Sequence, residues 1–182
     1  MTPEPDLYIP PGISDGPVDV LILVPYVDGM LREQTMAAIH ESGHAYLTQP
    51  IDPADPYDYA GWFRNWWRMP MDLIVIEQDM VPTPAQINEL AYHPDPWVGA
   101  RYHVGNGQYT TGLGFCALSA KLRKAHPDAA TNITVDARGN GNLVDWISLN
   151  ENVERHLTRL GETMTVIDTP VEHLHYPVAA HA

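Results

Sequence analysis

A chain of 182 residues, 45% of them hydrophobic, is long enough for one domain with a substantial core and too apolar to be intrinsically disordered. Its net charge of -13 repels nucleic acid and anionic membranes, so neither is expected as a partner. The single cysteine, Cys116, excludes an intrachain disulfide, and no apolar run approaches the ~20 residues of a membrane span; a reducing, cytoplasmic setting is expected.

Residues 1–17 are rich in proline, glycine and acids, with neither the cationic start nor the apolar core of a signal peptide. They are expected to be irregular, ahead of one domain over 18–178. The run Val20-Leu21-Ile22-Leu23-Val24 reads as a strand buried on both faces, as in a parallel sheet. Pro25-Tyr26-Val27-Asp28-Gly29 turns the chain into a helix-compatible stretch, 30–42, completing a βα unit. Ala45-Tyr46-Leu47 is a short strand. Pro53 and Pro56 delay the next helix, 57–69, whose Trp62, Phe63, Trp66 and Trp67 are assigned to the core. Arg64, on the same helix, is a candidate ligand contact.

The most informative segment follows. Leu73-Ile74-Val75-Ile76 is a second fully buried strand, and it runs into Glu77-Gln78-Asp79. Ligands of open α/β sheets bind off the carboxyl ends of the strands. Side chains two apart on an extended chain share a face, so Glu77 and Asp79 can meet one cation or one cation-bound phosphate. Thr83-Pro84-Ala85-Gln86 is a capping box with proline at the first helical position. A strand over 97–104, a Gly/Thr-rich loop over 105–114 and a strand-then-helix segment over 115–125 come next. Residues 132–137 read as a strand and 138–142 as a turn. A helix over 148–160 carries the stripe Leu149, Val153, Leu157, Leu160, a second capping box at Ser148/Glu151, and Gly161 as its stop. A strand over 164–167 leads to His173-Leu174-His175.

The order of these pieces resembles the GT-A-fold glycosyltransferases, nucleotide-sugar-dependent and family-2-like, including small members encoded by bacteriophages. Val24-Pro25-Tyr26 looks like their first strand end, against which the base packs. Glu77-Gln78-Asp79 resembles the Asp-X-Asp motif, Gly112-Leu113-Gly114-Phe115 the glycine loop, Leu143-Val144-Asp145-Trp146 the stretch bearing the catalytic acid, and His173/His175 the late metal-binding histidine. The departures are Glu77 for the first acid, Val144 where many members carry Glu, and no Asp-Asp pair after the second strand, which leaves Asp52 as the candidate for gripping uracil.

The resemblance implies an α/β three-layer sandwich, GT-A-like or Rossmann-like, around a mostly parallel sheet. It further implies a metal-dependent, inverting transfer of sugar from a nucleotide-diphosphate donor, UDP-sugar favoured, to an acceptor that is a protein or glycan. Pro25, Tyr26, Asp52, Arg64 and Glu77 would contact the nucleotide; Trp97, Gly112, Leu113 and Gly114 would form the donor/acceptor loop. Asp79 with His175 or His173 would hold Mn2+ or Mg2+, and Asp145 would be the general base, in host cytoplasm for a phage protein. Two other readings use the same residues: a degenerate GT-A-like module that binds nucleotide or carbohydrate without turnover, and a metal-dependent phosphoesterase. The second would normally show a tighter ligand cluster such as an early His-X-His, which is absent.

Overall fold

The computed structural model describes residues 5–11, 18–55, 57–103, 109–132 and 146–174. Among them nine strands form one sheet. The chain runs β1 (Asp6–Tyr8), β2 (Val20–Tyr26), α1 (Glu33–Ser42), β3 (Ala45–Pro50), α2 (Asp58–Trp67), β4 (Asp72–Ile76), β5 (Met80–Val81) and α3 (Pro84–Ala91). It continues through β6 (Trp97–His103), β7 (Tyr109–Thr110), β8 (Phe115–Leu118), α4 (Ala120–Ala125), a 3-10 turn (Ala130–Asn132), α5 (Trp146–Arg159) and β9 (Thr165–His173). The sheet order is β1-β3-β2-β4-β8-β6-β9-β5, with β7 paired to β6.

β2 is parallel to both β3 and β4, and β6 is parallel to β9. β8 is antiparallel to β4 on one side and β6 on the other. The five longest strands therefore point one way, with β8 reversed among them. The two continuous apolar runs do what such runs must. Leu21, Leu23, Leu73 and Val75 enter one core with Phe63, Trp66, Leu149, Val153 and Leu157 of α2 and α5. Ile22, Val24, Ile74 and Ile76 enter the other with Ile39 and Ile87 of α1 and α3. This is the expected three-layer sandwich, with β2 and β4 both interior to the sheet.

Several local expectations change. Asp6–Tyr8 is not irregular: it is an antiparallel edge strand on β3, with Tyr8 stacked on Tyr46 at 4.8 Å. Its apolar Leu7-Tyr8-Ile9 core was masked in the sequence by flanking prolines. The final helix starts at Trp146 rather than at a Ser148 cap. β9 extends through Pro170, whose carbonyl accepts from Gln86 Nε2 at 3.2 Å. β5 pairs only with Glu172 and His173 of β9, so at Pro170 the side away from β6 needs no ladder N–H. The expected strand at 132–137 and turn at 138–142 lie outside the described residues, apart from Asn132, which ends the 3-10 turn. No helix among the described residues is long and apolar enough to cross a membrane.

Candidate functional site

Past the end of β4 the chain makes a tight turn, with Met80 N–H donating to the Glu77 carbonyl at 3.0 Å. This turn sorts the three side chains. Gln78 points away from its neighbours and is buried. Its Oε1 accepts from Val27 N–H, and its carbonyl accepts from Arg32 N–H at 3.3 Å. The buried Thr35 hydroxyl donates to the Met80 carbonyl at 2.6 Å. The middle residue of the acidic motif thus anchors the turn after β2 and the start of α1, leaving the two acids on the opposite side.

Glu77 is partly buried and accepts from the Tyr59 hydroxyl of α2 at 3.2 Å. Burial pushes its pKa up to about 8, with the charge of Asp79 adding to the rise. Asp79 meets His173 of β9, Oδ2 to Nε2 at 3.1 Å, and the other ring nitrogen, Nδ1, lies 2.9 Å from the His103 carbonyl. Burial works to lower the His173 pKa. The hydrogen bond and charge of Asp79, helped by the His103 carbonyl and Glu77, outweigh it and raise the pKa above the ordinary value. A short ladder makes the encounter: Met80 of β5 pairs with His173, and Leu174 N–H donates to the Asp79 carbonyl at 2.9 Å.

The donor set suits a hard divalent cation. A carboxylate oxygen and an imidazole nitrogen about 3 Å apart span one edge of an octahedron with ~2.1 Å bonds. An Nδ1–H held by a backbone carbonyl leaves Nε2 as the ligating atom, the arrangement usual for metal-bound histidine. Among the described residues, no three His, Cys, Asp or Glu side chains gather as a complete ligand set. Mg2+ and similar ions take one or two carboxylates and fill the rest with water and substrate phosphate, so the pair at Asp79 and His173 fits that class and not structural zinc.

The glycine loop closes the other side. Glu77 N–H donates to the Gly114 carbonyl at 2.9 Å, which fixes the loop against the end of β4. Asn150, one turn into α5, accepts from Leu113 N–H at 2.8 Å and donates to the Tyr102 hydroxyl at 3.3 Å. The Tyr102 ring meets His173 edge-on at 5.5 Å. Asn150 of α5 thus holds Tyr102, whose ring packs against the histidine that meets Asp79. Gly112 has no room for a side chain: a Cβ there would lie 2.0 Å from the Asn150 amide. Gly112→Ala is expected to expel Asn150 and destabilise the protein by about 1–3 kcal/mol. Combined with Asn150→Ala in a double-mutant cycle followed by thermal denaturation, the losses should be strongly non-additive; additive losses would show that the two do not act together.

The remaining candidates divide. Pro25 and Tyr26 end β2 beside Gln49 and Pro50 of β3, and Ile51 N–H donates to the Tyr26 carbonyl at 2.7 Å. Asp52 follows at once; its Oδ1 accepts from Ala54 N–H at 2.8 Å, and its own N–H donates to Asp58 Oδ2 at 2.8 Å. These three lie at the carboxyl ends of β2 and β3. Arg64 does not join them. It is five residues beyond Tyr59 on α2, and its Nε donates to the Ala130 carbonyl at 3.2 Å. Trp97 is also displaced: it begins β6, opposite Leu118, at the end of β8 away from Phe115 and Glu77, and is buried in the core. Asp145 and His175 lie outside the described residues.

Tyr59, Tyr102 and Asn150 were not foreseen as site residues. Tyr59 lies on the helix whose other aromatics, Trp62, Phe63, Trp66 and Trp67, were assigned to the core. Asn150 carried a signal, since a polar amide beside the Leu149 stripe needs partners if it is drawn inward.

The sequence matches no protein-family model and no curated protein. Solved structures do align. A197 from STIV is 13% identical, with 87% of this chain and 85% of that chain covered and a TM-score of 0.51. A glycosyltransferase involved in the glycosylation of the major capsid of PBCV-1 is 14% identical, covers 82% and 81%, and has a TM-score of 0.48. A putative nucleotide-diphospho-sugar transferase from Desulfovibrio desulfuricans G20 is 8% identical over 86% and 82%, with a TM-score of 0.45. At these identities the likeness concerns fold alone, and by that measure the chain shares the α/β fold of A197.

Proposed function

We propose that the protein transfers a sugar from a nucleotide-diphosphate donor, UDP-sugar favoured, to a protein or glycan acceptor, with Mn2+ or Mg2+ held by Asp79 and His173. The observation that carries this reading is the Asp79–His173 pair, 3.1 Å apart at the carboxyl edge of the central strands, where α/β sheets bind their ligands. The bound cation would supply Lewis-acid stabilisation of the departing diphosphate. The remaining chemistry belongs to the chain. Tyr26, Pro25 and Asp52 would receive the base at the ends of β2 and β3, and Glu77 would face the ribose. Gly112–Gly114, held by Asn150, would keep the backbone close to the donor sugar. His175 is a further metal candidate. Asp145, next to the first residue of α5, would take the acceptor hydroxyl proton as general base, giving inversion.

Binding without turnover is the second reading. It is kept open by two departures from the resembling family's pattern, Glu77 for the first acid of the motif and Val144 where many members carry Glu. One experiment addresses both. Melting temperature is followed with UDP alone, Mn2+ alone, and the two together. Ligands selective for the native state raise its stability by about 2.7 kcal/mol at a hundred times Kd, so the combination should give a rise that neither component gives. Asp79→Asn and His173→Ala should each weaken Mn2+ binding about 10–100-fold. Unchanged affinity in both variants would end the metal assignment. A UDP-sugar hydrolysis or transfer assay, abolished by Asp145→Asn with donor binding intact, then separates enzyme from binder.

A further inference from the structure

The opposite end of the sheet carries a second feature. α2 and α4 both end at a cleft of about 480 Å3, within the size range of small-molecule sites. Three cations line it, Arg68, Arg123 and Lys124, together with apolar Met69, Pro70 and Pro127, and among the described residues no acid does. In a chain with ten Lys and Arg against twenty-three Asp and Glu, that local balance is reversed.

Helix termini account for part of it, because cations at a helix C-terminus offset the macrodipole. The two terminal nitrogens of Arg123 are taken up in this way. The residue is buried, and its guanidinium donates to the carbonyls of Trp66 and Trp67 at the end of α2 and of Met69 and Met71 just beyond it. Asp72, the acid whose charge acts on Arg123, accepts from Ala120 N–H through Oδ1 at 2.6 Å. Arg68 and Lys124 are different. Both are exposed, and among the described residues neither has an ion-pair partner.

We propose that this cleft binds the phosphate group of a small phosphorylated molecule, with Arg68 and Lys124 on the phosphate and Met69, Pro70 and Pro127 against its apolar part. A guanidinium fork matches two phosphate oxygens and an ammonium adds a point charge, which suits a dianion better than a carboxylate. The fixed positive charge of Arg123 beneath them adds to the local field. The occupant is small because an extended polyanion, nucleic acid or an anionic bilayer, would meet the net charge of -13 over the rest of its length. The site needs no divalent cation and is independent of Asp79.

The test is a titration of 15N-labelled protein with phenyl phosphate and, separately, inorganic phosphate, in EDTA at ionic strength held constant with NaCl. The reporter is the Trp67 indole N–H, which donates to the His126 carbonyl at 2.9 Å beside the cleft. A saturable shift is expected for both, with phenyl phosphate the tighter. The Arg68→Ala/Lys124→Ala variant, altered only at exposed side chains, should keep its melting temperature and bind about tenfold or more weakly; Arg68→Gln alone provides a milder check on the same axis. No saturable shift, equal affinity for the two phosphates, or undiminished binding in both variants would each overturn the assignment.

Discussion

Replacing Arg123 with methionine is expected to lower the stability of the protein by about 3 kcal/mol, because hydrogen bonds from a charged donor are worth about 1.5–3 kcal/mol each. Four carbonyls, those of Trp66, Trp67, Met69 and Met71, share this one guanidinium. Those of Trp66 and Trp67 belong to the last turn of α2, and those of Met69 and Met71 to the link between α2 and β4. Carbonyls nearer the cleft recover water, so the loss stays well below the sum of the separate bonds. Methionine keeps much of the buried stem's volume, which confines the effect to the polar end. For a chain of this length the expected fall in melting temperature is roughly 6–12 °C. Burial pulls the Arg123 pKa down to about 10, so the group stays cationic at neutral pH. Arg123→Lys should recover only part of the loss, since one ammonium cannot reach all four carbonyls in the plane the guanidinium spans. A fall of under 2 °C for Arg123→Met would show that the cap is dispensable.

Glu77→Gln is expected to have the opposite sign. In the metal-free protein the folded-state pKa of Glu77, about 8, lies above its ordinary value of 4.5. A carboxyl group raised in this way contributes its full stability below pH 4.5, and that contribution is lost as the pH rises through about 8. The glutamine has no charge to desolvate, and its Oε1 can still accept from Tyr59. The variant should therefore melt close to the parent near pH 4 and increasingly above it between pH 5 and 8, with the gap constant above about pH 9. Thermal denaturation in EDTA across this range provides the measurement, and parallel curves would remove the buried carboxylate from the account. Added Mn2+ should narrow the gap, because a cation at Asp79 favours the ionised form of its neighbour. The same substitution that stabilises the empty protein should weaken donor binding, the usual exchange between stability and function at a strained polar site.

Much of the architecture was legible in the chain. Unbroken apolar runs at 20–24 and 73–76 imply strands covered on both faces, and the two cores divide their residues alternately as the pleat requires. The Thr83 box forms as its spacing predicts, with Thr83 Oγ1 accepting from Gln86 N–H at 3.3 Å and Gln86 Oε1 from Thr83 N–H at 2.8 Å. Glu77 and Asp79 lie near enough for the charge of one to act on the other, although a tight turn, not an extended chain, joins them. Each of these features is decided within a few residues, by backbone geometry and side-chain period.

Tertiary packing decided the rest. β5 has only two residues, too few for any periodic signal, yet its pairing with β9 brings His173 to Asp79. Pro170 marked a strand end locally, while the shortness of β5, which pairs only with Glu172 and His173, let β9 run through it. Tyr59 and Tyr102 carry no local mark of a polar site, and Asn150 only that of an amide beside an apolar stripe; they become one because α2, β6 and α5 converge on the carboxyl ends of β4 and β9. Arg64 and Trp97 were drawn into the frame by the same packing, and Arg123, readable only as a helix-end cation, became a buried cap. Sequence period determines which face a residue occupies, and the meeting of faces from distant elements determines what it touches.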